Sequence, residues 1–223
     1  MKLRNINSWD LSPIEAVALQ QKLVGQVEGG TLPRVRTVLG VDVSYSRTEQ
    51  TFTACAVLLD LPGLEPTDSC CGFGKVSFPY VPGLLSFREI PPLIPILKKA
   101  PRPDLIIVDG HGIAHPRGFG LACHLGLLTG LPTIGCAKSL LVGSCEKPEP
   151  ERGNMTPMTY DGNIVGYALR SRKGSKPLYI SPGHLLDPEE AVKGVQMCLK
   201  GYRLPEPTRL AHKLTQQTRA LGS

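Results

Sequence analysis

Strand-like runs at 36–45, 51–60 and 70–78, joined only by turns at 47–50 and 62–66, commit this chain to an antiparallel meander. Neighbours linked so briefly have no room for a crossover. The pattern then changes to a helix over 84–99, a strand over 104–109, a helix over 120–129 and a strand over 133–136. Strand, helix and strand in succession imply parallel crossover units. A mixed α/β sheet flanked by helices follows: an antiparallel three-strand meander and then parallel units. Further along come a hairpin-like pair (163–171 and 177–180), a helix opened by Asp187-Pro188-Glu189-Glu190, and a C-terminal helix from Pro207. Near the start, Ser12-Pro13-Ile14-Glu15 has the form of a capping box that launches a helix to about Val27. Residues 1–11 read as a flexible tether and 146–153 as an exposed loop, within one domain spanning 1–223.

Length permits a substantial core, and 25 basic against 19 acidic residues, a net charge of +6, favours a polyanionic partner. A merely solvated basic surface is the alternative. No run is long and apolar enough for a signal peptide core or a membrane span, so the chain is expected in the cytoplasm. The seven cysteines form no Cys-x-x-Cys pair and lie mostly among apolar neighbours. They are expected as buried, reduced thiols.

Three acids stand out against this frame. Asp42 interrupts the apolar run Val38-Leu-Gly-Val-Asp-Val-Ser-Tyr45, Glu89 lies at the start of the helix after Pro79-Tyr-Val-Pro-Gly83, and Asp109 ends Leu105-Ile-Ile-Val-Asp109. A carboxylate in an apolar strand is costly unless something positive neutralises it. Neither strand carries a basic residue beside its acid, which points to a metal ion. If the first strand is central, Asp42 and Asp109 face one another across neighbouring strands, with Glu89 able to reach the same point. Hard cations such as Mg²⁺ take carboxylate, water and phosphate oxygens, and such sites hydrolyse phosphodiesters. Taken singly, Asp42 paired with a distant Arg, Glu89 favouring a helix start and Asp109 capping a loop are the structural alternatives.

Two prolines around Tyr80 stiffen its turn and suit it to present an aromatic tip, as in proteins that insert a side chain where a base is extruded. A tyrosine packed beneath the turn is the alternative. In Asp109-Gly-His-Gly-Ile-Ala-His-Pro-Arg-Gly-Phe-Gly120, four glycines in twelve residues let the backbone approach a flat base and read it through main-chain groups. His111 and His115 have the spacing of helical zinc ligands, but Gly110, Gly112 and Pro116 disfavour a helix there. Arg117 and Lys138 are candidate phosphate contacts.

With these residues in view the chain resembles the endonuclease V family, over about 38–219. Gly40-Val-Asp-Val-Ser44, Pro79-Tyr-Val-Pro-Gly-Leu-Leu-Ser-Phe-Arg-Glu89, Val108-Asp-Gly-His-Gly-Ile-Ala-His-Pro-Arg117 and Ile180-Ser-Pro-Gly-His184 carry the likeness. The resemblance implies an RNase H-like fold and a Mg²⁺-dependent nick, with Mn²⁺ able to substitute. The cut falls at the second phosphodiester 3′ to inosine, leaving 3′-hydroxyl and 5′-phosphate ends for DNA repair. It implies Asp42, Glu89 and Asp109 as metal-site acids, Tyr80 as a strand-separating wedge, Pro82 as a substrate contact, and His115, Lys138 and His212 acting around metal and phosphate. It further implies a base pocket of Gly83, Leu85, Gly110, Gly112, Leu121 and Leu141, in an enzyme expected to act as a monomer. Gly118 and Leu140 stand where many bacterial members carry basic residues, so weaker phosphate binding with a shallower salt slope is expected. Ser181 to His184 reads as a turn-shaping segment. DNA and RNA are equally open as substrates, and a structure-selective nuclease or a non-cutting binder of damaged DNA are the competing functions.

Overall fold

The computed structural model describes residues 1–46 and 50–221; of the turn expected over 47–50, residues 47–49 lie outside the described residues. The meander consists of β1 (Thr37–Tyr45), β2 (Thr51–Asp60) and β3 (Glu65–Lys75). Helix α2 (Leu85–Lys99), strand β4 (Leu105–Val108), helix α3 (Leu121–Thr129) and strand β5 (Thr133–Ala137) follow as parallel units. Strands β6 (Met155–Tyr160), β7 (Asn163–Leu169) and β8 (Leu178–His184) then join the same sheet, whose order is β3-β2-β1-β4-β5-β8-β7-β6. Helix α1 (Pro13–Leu23), with its capping box at Ser12 and a 3₁₀ turn to Gln26, precedes the sheet, and α4 (Pro188–Met197) and α5 (Glu206–Leu221) end the chain.

Alternation in the central strands sorts the core into two layers. Val38, Leu105 and Ile107 pack on one face with Val192, Val195 and Ala211 from α4 and α5. Leu39, Val41, Ile106 and Val108 pack on the other with Ile90, Leu93 and Leu125 from α2 and α3. The meander and its parallel units therefore stand as the strand pattern implied, with β1 beside β4 at the centre.

Four expectations need correction. The third strand runs 65–75, because the turn after Asp60 and a bulge at Leu58/Leu59 set a register that pairs Thr51, the first residue of β2, with Lys75. Strand β6 was not anticipated; it is the sheet edge, where the missing N–H of Pro157 is tolerated. Residues 1–11 are not a loose tether. Leu3, Ile6 and Trp9 pack against the α2–α3 layer, and the Arg4 N–H donates to the Leu128 carbonyl at 2.8 Å.

The fourth correction concerns the cysteines. Cys55 and Cys71 face each other across β2 and β3, with Cα atoms 4.2 Å apart, and are joined as a disulfide. Register alone brings them together, which spacing in sequence does not reveal. Cys70, Cys123, Cys136, Cys145 and Cys198 are free, three of them buried. Thiol titration of the unreduced, denatured protein should therefore find five thiols, against seven after reduction. Seven without reductant would contradict the bridge.

Trp9 stacks on the His124 ring at 4.9 Å, with Phe87 and Phe119 at 5.1 and 5.2 Å. The ring's Nε2–H donates to Asn7 Oδ1, leaving Nδ1 to accept from Ser86 Oγ–H. Burial pushes the imidazole pKa down to about 3. Its folded value thus lies below the unfolded one near 6.5, so this contribution is complete above about pH 6.5 and is lost as pH falls towards 3. Between pH 6 and 4, wild type should lose about 1 kcal/mol per pH unit relative to His124→Gln in urea titrations. The comparison with that variant matters because Glu89, whose folded pKa is raised, slopes the opposite way. Parallel pH profiles would refute a neutral buried His124.

Candidate active site

Asp42 continues the column of Val38 and Gly40 and so points to the face covered by α5. Its Oδ2 accepts from Thr215 Oγ–H at 2.5 Å and from His212 Nδ1–H at 3.3 Å. Donation by Nδ1 leaves His212 Nε2 as an acceptor in the neutral ring. Asp109 follows β4 directly and forms an ion pair with Lys138, just beyond β5. Neither acid-bearing strand offers a basic residue beside its acid; for Asp109 the partner is Lys138, supplied by the neighbouring strand end.

Glu89 arrives from α2, and three prolines inside that helix shape its approach. Pro92 has no N–H for the Arg88 carbonyl one turn back, and that carbonyl instead accepts the Tyr45 hydroxyl at 3.0 Å. The helix is thereby tied to the end of β1, with the Arg88 guanidinium over the Tyr45 ring at 4.3 Å. Burial raises the Glu89 pKa to about 8, with further push from Asp42 and Asp109. Asp42, Glu89, Asp109, Lys138 and His212 line one cavity of about 400 Å³.

Among the described residues no three His, Cys, Asp or Glu side chains are gathered tightly enough to enclose an ion. The donors nevertheless fit a hard, partly hydrated cation. Three carboxylates converge on one cavity with a single ammonium among them, and a Mg²⁺-like ion characteristically takes one or two carboxylates while keeping water or phosphate oxygens.

A second cavity, about 380 Å³, opens beside the first and shares Asp109, Leu121 and Lys138 with it. Tyr80, Pro82, Gly83 and Leu85 line it, as do Gly110, His111, His115 and Leu141. Tyr80 is 71% exposed, so it is not packed beneath its turn. Arg88 Nη1–H donates to the Phe78 carbonyl at the base of that turn.

Several sequence readings change here. Gly112 is outside the cavity lining: a Cβ there would meet the Pro182 carbonyl oxygen at 1.8 Å, and its N–H donates to Ser181 Oγ at 2.8 Å. The Gly110 N–H points to the Val108 carbonyl. Those two glycine N–H groups are thus engaged within the protein and are not donors waiting for a base. His115 lies in the second cavity and is not among the residues lining the acid cavity. It donates from Nε2 to the Gly83 carbonyl, accepts the Arg117 N–H at Nδ1, and is held neutral with a pKa near 4, chiefly by burial and then by Arg117. Arg117, read as a phosphate contact, spends Nε–H on Gln20 and Nη2–H on Gly83. Sequence reasoning missed Thr215 and Gln20, although Thr215 lies three residues after His212 and so on its helical face; Ser181 to His184, read as shaping a turn, instead end strand β8 and pair with β5.

The chain matches the family model Endonuclease V over residues 18–213. An endonuclease V of Gloeobacter violaceus is 47% identical over 219 residues, covering 96% of this chain and 89% of the relative. The crystal structure of endonuclease V from Streptomyces avermitilis has a TM-score of 0.89 at 43% identity and covers 96% of each chain. Endonuclease V of Ciona intestinalis, solved with DNA containing an inosine, has a TM-score of 0.85 at 28% identity, covering 96% of this chain and all of that one. Sheet order and relatives together define a nuclease of RNase H-like fold. The chain belongs to the endonuclease V family.

Proposed function

We propose that this endonuclease recognises inosine in nucleic acid and hydrolyses the second phosphodiester on its 3′ side, as an initiating step of DNA repair. The observation that carries the reading is the joining of two cavities, one acidic and one bordered by an exposed tyrosine, through Asp109 and Lys138. The inosine-bearing DNA on the Ciona relative supports the substrate.

Tyr80 takes the place of the extruded base, which enters between Pro82–Leu85 and the glycine-rich loop. Hypoxanthine lacks the 2-amine of guanine and presents O6 and N1–H where adenine presents an amine and an acceptor, so a close-walled pocket separates it from both. Because two glycine N–H groups are already paired, the pocket's shape bears much of that selection. The strand then passes Lys138, whose ammonium offers hydrogen bonds to a phosphate oxygen.

Asp42, Glu89 and Asp109 would hold Mg²⁺, with Mn²⁺ as a substitute. A bound cation would supply Lewis-acid charge at the scissile phosphate. Asp42 holds the His212 ring so that Nε2 can take a proton from the water attacking phosphorus. The P–O3′ bond breaks; the departing oxygen takes a proton from solvent water to become a 3′-hydroxyl, the proton held by His212 returns to solvent, and the phosphate stays on the 5′ end.

The test is end-mapping of a duplex with one inosine, incubated with Mg²⁺, Mn²⁺ or EDTA. A single metal-dependent product, one nucleotide beyond inosine with 3′-hydroxyl and 5′-phosphate ends, is expected. Cuts scattered along the strand, or cutting in EDTA, would overturn the reading.

A further inference from the structure

The Gly83 carbonyl accepts three hydrogen bonds: from Gln20 Nε2–H at 3.0 Å, His115 Nε2–H at 3.0 Å and Arg117 Nη2–H at 2.7 Å. A carbonyl oxygen has two lone pairs, so a third donor marks an unusually crowded acceptor. The three donors are also joined to one another. Gln20 Oε1 accepts from Arg117 Nε–H at 2.6 Å, and His115 Nδ1 accepts the Arg117 main-chain N–H at 3.2 Å. The remaining Gln20 Nε2–H reaches the Phe119 carbonyl at 3.0 Å. Gln20 is 1% exposed and His115 3%, so water does not compete for these groups. Gly83 itself has φ +77°, and a Cβ on it would lie 2.7 Å from Arg117 Nη2. Only glycine lets this carbonyl meet its donors closely.

The cluster joins two segments that both line the same cavity. Gly83 ends the turn that carries Tyr80, whereas His115, Arg117 and Phe119 belong to the glycine-rich loop. Gln20 bridges both from α1. Leu85, two residues after Gly83, and Gly110, at the start of that loop, line the cavity beside the cluster.

We infer that Gln20, His115 and Arg117 act as a clamp on the Gly83 carbonyl that sets base selectivity, with Gln20 and Arg117 as positioning residues. This rests on the proposed entry of inosine into that cavity. None of the three lines the acid cavity, so releasing the clamp loosens selection and leaves bond cleavage to the acids. Pockets that select by shape need their walls held to about 0.5 Å. Small differences in a base's outline are worth about 10- to 200-fold at most, and a wall free to move gives that up.

The experiment compares wild type, Gln20→Met, Arg117→Met, Arg117→Lys and the double Gln20→Met/Arg117→Met. Each is measured for kcat and KM on an inosine duplex and on its unmodified twin, at two salt concentrations, with thermal melting to establish folding. The clamp predicts that selectivity for inosine falls about tenfold in each Met variant. The double variant should fall no further, since both changes act through one carbonyl. Arg117→Lys, which keeps a donor for Gly83, should retain most selectivity. Unchanged selectivity in folded Met variants, or additive losses in the double, would overturn the clamp. So would an Arg117→Met effect confined to KM on both substrates with a shallower salt slope, which would make Arg117 a phosphate contact. If Gln20→Met does not fold, the contrast between Arg117→Lys and Arg117→Met decides alone. Wild type without inosine preference would instead remove the substrate reading, a failure visible before any variant is compared.

Discussion

Replacing Asp42 by asparagine should abolish strand cleavage while leaving inosine-containing DNA bound. Asp42 Oδ2 receives two donors, Thr215 Oγ–H and His212 Nδ1–H, and it stands with Glu89 and Asp109 at one cavity. Asparagine removes the negative charge that would draw a cation. It also turns an acceptor-only group into one whose NH₂ can face those donors. Either His212 loses its partner or the amide oxygen turns away from the cavity. Losing charge stabilisation and the orientation of a proton-accepting imidazole together should cost on the order of 10³-fold or more in single-turnover rate. Affinity measured by gel shift should stay within about threefold, because the second cavity is untouched and most affinity for nucleic acid comes from backbone contacts. An asparagine variant that cuts at near wild-type rate would show that Asp42 does not serve the reaction.

Gly40→Ala should cost about 3 kcal/mol or more of stability and suppress cleavage with it. Gly40 lies two residues before Asp42 on the same face of β1. A Cβ there would lie 2.1 Å from the Pro207 carbonyl oxygen and 2.2 Å from its carbon, both main-chain atoms at the start of α5. No rotamer change relieves that contact, so the helix must move away from the sheet. Thr215 and His212 reach Asp42 from this helix, and both would be withdrawn. For a chain of this size the melting temperature should drop by about 6–12 °C. A variant as stable and active as wild type would mean that α5 does not need this close seat.

How far the sequence could be read depended on whether a contact was local. The apolar runs around Asp42 and Asp109 made their strands visible, and the crossover after the meander placed those strands side by side, as the pairing of β1 with β4 bears out. Tyr80 and the glycine-rich loop likewise signalled a rigid turn and a close backbone approach. Strand β6 was not read at all, although Asp161-Gly162 between β6 and β7, both at positive φ, is a hairpin signal that could have been used. The Cys55–Cys71 bridge depends on the β2–β3 register, which a bulge at Leu58/Leu59 shifts by one residue. Arg117 and His115 looked like surface and site groups because nothing near them in sequence names Gln20 as a partner. The signal for Gln20 was its position in the buried stripe Ala16, Gln20 and Leu23, where an amide must find hydrogen bonds.

The most direct test of the central claim is cleavage of two duplexes that differ only by one inosine, followed side by side at equal Mg²⁺ concentration. The account predicts a nick in the inosine strand alone, one nucleotide 3′ of the modified base, lost with EDTA and lost in Asp42→Asn. Equal cutting of both duplexes would contradict it, since the cavity beside the acids would then select nothing.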